Sequence, residues 1–315
     1  MTNPMTKTEK LIGSFLLLIA AFVIFSSTSL EGKLPKVSAN NINEVPLTAT
    51  ITSNTTTEEA TKLLNVDSSL KMQLALAQSG SFEAQKALLS YQNLDVEALV
   101  TICELTLSFD AETNTILEKK ILRAELSDDL EFRLAQSCNE SAAKGLLMRD
   151  SISEDALVII CESLASDTLM CSDISKLQEL IQKAFEETTF SSESFVTICK
   201  IAATSDKCDV KSIAFQNWLK NTANAVDLTV KQELKIAETK DWDIVRVLIN
   251  RSKISTAAFL TICEETDPSW VDVSDPEVEA DFIWAATKLN NKFNEHEKQL
   301  LRHSNVEAIR YLADY

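Results

Sequence analysis

The sequence predicts an all-α protein, an α-solenoid of stacked short antiparallel helices, preceded by an N-terminal transmembrane or signal helix and a flexible linker. Three observations carry that prediction. One phrase recurs four times with helical spacing, glycine and proline are scarce, and the N-terminus holds an apolar run behind two lysines. Repetition comes first because a repeated unit sets the architecture of the whole chain.

The phrase runs from Leu94 to Glu104, from Ile152 to Glu162, from Phe190 to Lys200 and from Ile254 to Glu264. Each copy carries its own helix-start signal. Asp95, Ser153, Ser191 and Ser255 stand where an N-cap belongs, and their side-chain oxygens can accept from free amides of the first turn. An apolar residue precedes each cap (Leu94, Ile152, Phe190, Ile254), and another follows four residues after it (Leu99, Leu157, Phe195, Phe259). That pair is a hydrophobic staple. The apolar positions Ala98, Leu99, Ile102 and Cys103, with their equivalents, then trace one helix face. Four glycines and five prolines in 315 residues leave too few turn residues for an all-β or α/β fold.

Taken from the N-terminus, Lys7 and Lys10 precede an apolar run from Leu11 to Phe25, followed by Ser26 to Ser29. The run is apolar on all faces, which disfavours a buried core helix. Residues 11–30 give about twenty residues, enough for a short transmembrane helix. The favoured reading of 1–30 is an uncleaved signal-anchor with the body extracytoplasmic, periplasmic if the source is bacterial. The alternative is a cleaved signal peptide and a secreted or periplasmic body. Lys33 and Lys36 follow the run on its other side and weaken the orientation argument. Residues 31–56 are rich in Ser, Thr and Asn, include Pro35 and Pro46, and read as a flexible linker. Asn54, Asn139 and Asn250 begin formal glycosylation sequons, which matter only in a eukaryotic secretory setting.

From residue 57 the chain reads as helix after helix. Leu76-Ala-Gln-Ser79 corresponds to Leu134-Ala-Gln-Ser137 and to Ile236-Ala-Glu-Thr239. Ten residues past each leading residue stand Lys86, Lys144 and Arg246, and Leu300 to Arg310 repeats that spacing. The repeats span about 57–110, 111–168, 169–206, 207–268 and 269–315, with the third copy short by a helix pair and the last incomplete. Full copies hold four helices; in the second these are placed at 115–125, 128–137, 140–149 and 153–166. The pattern of Leu-Ala-x-Ser, then a basic residue, then a capped helix resembles α-solenoid repeats of the HEAT and armadillo kind, nearest to the leucine-rich-repeat-variant type. The resemblance covers about 57–315. It implies a curved scaffold that binds proteins and transfers no catalytic residue to this chain.

The chemistry-bearing residues are few. The net charge of −17 offers no basic face to phosphates, so nucleic acid is excluded as a partner and basic partners are favoured. No phosphate-cradling glycine loop, serine-hydrolase elbow or Cys-x-x-Cys pair is present. His296 and His303 lack metal-ligand spacing. No cofactor, metal or catalytic residue is expected.

Cys103, Cys161, Cys199 and Cys263 occupy one position of the phrase and read as structural repeat core. Cys138, Cys171 and Cys208 lie off it, and a disulfide among them is open in an oxidising compartment. Candidate partner contacts are the recurrent cations Lys86, Lys144, Arg246 and Arg310, together with Trp270 in the acidic loop 267–276. The alternative role for the cations is a structural ladder, pairing with acids such as Glu83 and Glu307 one turn earlier. Trp218, Trp242 and Trp284 read mainly as core. The expected function is a membrane-tethered, non-catalytic helical-repeat scaffold that binds other proteins, with residues 11–30 in the membrane. The alternative is a structural or assembly subunit of a cell-envelope complex.

Overall fold

A computed structural model describes residues 51–205, 213–266, 276–289, 293–304 and 307–313. These hold 17 α-helices and no strand, so the chain is all-α over its described length. The first four helices are α1 (Thr57–Val66), α2 (Leu70–Ala77), α3 (Phe82–Ser90) and α4 (Val96–Leu105). The next four are α5 (Ala111–Arg123), α6 (Asp128–Gln136), α7 (Glu140–Leu147) and α8 (Glu154–Ala165). A single pair follows, α9 (Ile174–Glu187) and α10 (Ser192–Thr204). Then come α11 (Ile213–Ala225), α12 (Val230–Ala237), α13 (Trp242–Ile249) and α14 (Thr256–Glu265). The described chain ends with α15 (Pro276–Lys288), α16 (Glu295–Arg302) and α17 (Glu307–Leu312). The candidate anchor at 11–30 and the linker up to residue 50 lie outside the described residues. Among the described residues no helix is long and apolar enough to cross a membrane.

The helices begin where their caps stand. Asp95 accepts from the Glu97 amide, Ser153 from Ala156, Ser191 from Ser194 and Ser255 from Ala258. Reciprocal capping boxes close α1 (Thr56 with Glu59), α12 (Thr229 with Gln232) and α16 (Asn294 with Glu297). In the second unit the first helix starts at Ala111 rather than near 115, because Asp110 accepts from the Thr113 amide and caps it.

Each helix is too short to bury its own apolar face, and the packing follows from that. Helices pack on the helix two places away. The odd-numbered helices α1 to α17 form one series and the even-numbered helices α2 to α16 a second. The core lies between the two series. The lone pair α9–α10 keeps this alternation, since α9 packs between α7 and α11, and α10 between α8 and α12. Two helices can be absent from a unit without inverting a layer, whereas an odd number could not. The arrangement is compatible with a helical-repeat fold.

Three even-to-odd links turn through a left-handed residue at one repeated place: Gly80 at φ 72°, Cys138 at 53° and Lys240 at 58°. Cys138 thus sits off the phrase, at a turn position where glycine would be easiest. At the end of the stack the repeat aligns Leu301, fully buried, rather than Leu300 with Leu76, Leu134 and Ile236. Counted from the caps Ser69, Ser127, Thr229 and Asn294, Leu301 has the same register, so Arg310 follows it by nine residues rather than ten and stands one place nearer the start of its helix than Lys86, Lys144 and Arg246 do.

α5 and α7 approach closely at Gly145, where an added Cβ would stand 2.8 Å from Ile121 Cβ and 3.1 Å from the Glu118 carbonyl. Gly145→Ala should gain about 1 kcal/mol of helix propensity and lose more to overpacking. The expected result is a net destabilisation of about 1–2 kcal/mol in urea denaturation.

Candidate binding surface

The recurrent cations are engaged within the fold. Lys86 on α3 pairs with Asp110, the cap of α5, at 2.7 Å, and more distantly with Glu83 at 3.9 Å. The Lys86 hydrogen bond, with help from Thr113, holds the Asp110 carboxyl well below the usual carboxylate range. Lys144 on α7 pairs with Glu140 at 2.6 Å. Glu140 also accepts from the Ser172 hydroxyl at 2.7 Å and amide at 3.1 Å, just before α9. Burial opposes its ionisation, but Lys144 and Ser172 together pull it down to about 2. Arg246 on α13 reaches Asp281 at 2.7 Å and Glu277 at 3.0 Å on α15. Arg310 donates to the Ser304 carbonyl at 3.1 Å. Lys86 and Arg246 tie an odd helix to the next odd helix or to the link entering it, whereas Lys144 pairs within α7 and touches the next link only through Glu140. Trp270 lies outside the described residues.

A second ladder was not read from the sequence. The amides of the cap residues Asp95, Ser153 and Ser255 donate to a side chain 22 residues earlier: Gln73 at 2.7 Å, Glu131 at 2.8 Å and Glu233 at 2.9 Å. Where the acceptor is Glu, an arginine stands beside it. Arg251 meets Glu233 at 2.7 Å, and Arg149 meets Glu131 at 3.5 Å. Each guanidinium also donates to the end of the preceding odd helix: Arg149 to the carbonyls of Ile121 and Ala124, Arg251 to those of Ala223 and Val226. The even series has its own cross-links. Arg133 on α6 grips Glu104 through two bonds, at 2.8 and 3.0 Å, and Glu97 at 2.6 Å. Lys235 on α12 meets Glu193 at 3.4 Å.

The four phrase cysteines are buried, at 0–2% exposure. Burial, with Glu104 adding to it at Cys103, pushes the thiols of Cys103, Cys199 and Cys263 far above their usual range. Cys138 and Cys171 are half-buried thiols, with Cys171 donating to Glu140 at 3.5 Å; Cys208 lies outside the described residues. Because alkylation needs an accessible thiolate, N-ethylmaleimide is expected to label Cys138 on the native chain, and Cys171 more slowly, since burial and the Glu140 carboxylate push its thiol up. Cys103, Cys199 and Cys263 should react only in urea, as read by peptide mass mapping.

A wide opening lies at the lone pair. A cleft of about 1120 Å³ is bordered by the end of α9, the α9–α10 link and one face of α11. An aromatic cluster forms its floor. Phe185 stacks on Trp218 at 4.4 Å between centroids, Phe190 meets Trp218 edge-on at 5.2 Å, and Phe215 and Phe195 follow at 5.3 and 6.0 Å. Trp218 is 7% exposed. Its Nε1 and the Thr188 Oγ1, both in residues lining the cleft, are buried without a hydrogen-bond partner. Asn217 and Asn221 present side-chain amides one turn apart, and Glu186 and Asp227 stand exposed at the margin.

A smaller cleft, about 610 Å³, is lined by Leu107, Cys138, Met170 and Cys171 among others. Of the other tryptophans, Trp242 is half-buried against Phe282 and Trp284 is exposed. Among the described residues no three His, Cys, Asp or Glu side chains are grouped to hold a metal. Comparison with known proteins finds no family model, no curated protein and no solved structure that matches this chain.

Proposed function

We propose that the chain is a membrane-tethered α-solenoid of the HEAT and armadillo kind that binds other proteins at the extracytoplasmic face and catalyses no reaction. The observation that carries this reading is the division of labour among its polar groups. The repeated cations and carboxylates are spent on pairs within and between helices, and the cleft at the lone pair is left with unpartnered polar groups around an aromatic floor. A stack of this kind supplies an extended, preformed surface, the ordinary use of a repeat scaffold. The apolar run at 11–30 supplies the tether.

The test is cross-linking of the full-length chain in its native membranes, followed by mass mapping. Recovery of one or a few proteins cross-linked to the 57–315 body supports the reading. Recovery of lipid or of nothing above an uncross-linked control overturns it. A second reading, an assembly subunit that self-associates, draws on the exposed Ile283, Trp284 and Tyr311 at 41%, 47% and 59% exposure near the end of the stack. It would give cross-links between copies of the chain, and a monomeric mass in detergent would remove it.

A further inference from the structure

We propose that the cleft between the α9–α10 link and α11 binds an extended segment of a partner protein in which lysine or arginine flanks an apolar side chain. The proposal rests on the protein-binding reading above and adds the site and the chemistry of the partner. Unmet hydrogen bonds are the first reason. An indole N–H can only donate, and Trp218 Nε1 is buried with no acceptor, as is the Thr188 hydroxyl without any partner. Two such groups in residues that line one cleft are costly for the free protein; both atoms are enclosed, so a small side-chain rotation on binding must open them before a peptide carbonyl and amide can satisfy them.

Charge is the second reason. Glu186 on α9 and Asp227 after α11 are exposed; Arg251, itself bonded to Glu233, acts on Asp227 electrostatically without a close ion pair, so both carboxylates stay open to a cationic ligand. No lysine or arginine is among the lining residues. Phosphorylated or carboxylate ligands are therefore repelled, and a cationic segment is attracted by the local pair and by the net charge of −17.

Shape supplies the third reason. The Phe185–Trp218 floor accepts an aliphatic or aromatic side chain. Asn217 and Asn221 each offer a donor and an acceptor, at a spacing suited to the N–H and C=O groups of an extended backbone. The volume, about 1120 Å³, exceeds the range of about 300–1,000 Å³ usual for small-molecule sites, and suits several residues of chain.

The experiment is fluorescence anisotropy with full-length protein in detergent. The probes are acetylated, amidated octapeptides carrying a central leucine between two lysines, or the same peptide with glutamate for lysine or serine for leucine. Saturable binding of the lysine–leucine peptide, lost in both control peptides, is expected. Glu186→Gln with Asp227→Asn should weaken it by about fivefold to tenfold, and more at low salt than at high. Trp218→Phe keeps the ring and removes the donor, and should weaken binding by about fivefold. Circular dichroism unchanged from the parent excludes misfolding as the cause. Equal affinity for lysine and glutamate peptides, or affinity untouched in both variants, overturns the proposal. The same variants in the membrane cross-linking experiment separate the two readings. Partners retained undiminished refute the cleft and leave the scaffold standing, whereas variant-sensitive peptide binding with no cross-linked partner supports the cleft and refutes the scaffold.

Discussion

Glu233→Gln is expected to cost about 3–5 kcal/mol of stability, the penalty for leaving a buried charge without its counter-ion. Arg251 and Glu233 are 6% and 4% exposed. One carboxylate oxygen meets Arg251 Nη1 at 2.7 Å and the other accepts the Ser255 amide at 2.9 Å. A glutamine has a single acceptor oxygen, so its NH2 group must face either the guanidinium or the Ser255 N–H, donor against donor. The remaining guanidinium donors hold the Ala223 and Val226 carbonyls at 2.7 and 3.0 Å, where a cation also opposes the negative end of α11. One pair thus fastens α11, α12 and the start of α14.

The chain carries its own control. In the first unit, Gln73 stands where Glu233 stands, and Tyr91 stands where Arg251 stands. Gln73 accepts the Asp95 amide at 2.7 Å and donates to the carbonyls of Ser68 and Asn93, so with no guanidinium beside it the neutral amide is fully used. Glu233→Gln with Arg251→Tyr should therefore be more stable than the sum of its single changes, with a coupling of about 2–3 kcal/mol in a double-mutant cycle. Additive losses in urea denaturation would show that the two side chains do not act as a pair. Glu131→Gln should cost less, because Arg149 sits 3.5 Å away and the two side chains are more exposed, at 16% and 8% against 8% and 6% for Arg251 and Glu233.

This ladder marks where the sequence stops being readable. The phrase helices were legible because their signals are local. A cap such as Ser153 and its staple partners Ile152 and Leu157 lie within six residues. The bond from Ser153 to Glu131 spans 22 residues and one helix between, and its acceptor changes from Gln to Glu among copies, so only the folded register reveals it. The cations Lys86, Lys144, Arg246 and Arg310 were legible as a recurrence, but the same recurrence serves a surface ladder or a ligand groove. Distances to Asp110 and Asp281 place Lys86 and Arg246 at joints between helices, and Lys144 pairs with Glu140 on its own helix. The cleft was hidden for a different reason. Its floor joins Phe185, Phe190 and Trp218 from a unit of two helices and its successor, and nothing local to those residues marks an opening.

Phe259→Ala is the other substitution expected to cost heavily, about 3–5 kcal/mol, through a lost ring and the cavity left behind. Phe259 is fully buried on α14 and meets Phe282 of α15 at 6.4 Å and Phe293, ahead of α16, at 5.9 Å. It therefore joins both series of helices at the end of the stack. Leu99 and Leu157 stand at the same place in their copies of the phrase, so Phe259→Leu should cost only about 1 kcal/mol. The distribution of the loss matters more than its size. In a stack whose helices touch only near neighbours, stability is a sum of local and interfacial contributions. Hydrogen exchange of the Phe259→Ala chain should then quicken in α14 to α17 and stay at the parent rate in α1 to α8. Uniform acceleration from α1 to α17 would mean that the stack opens as one cooperative body, in which case the clamps at Arg251, Arg246 and Arg133 transmit a local loss along both series of helices.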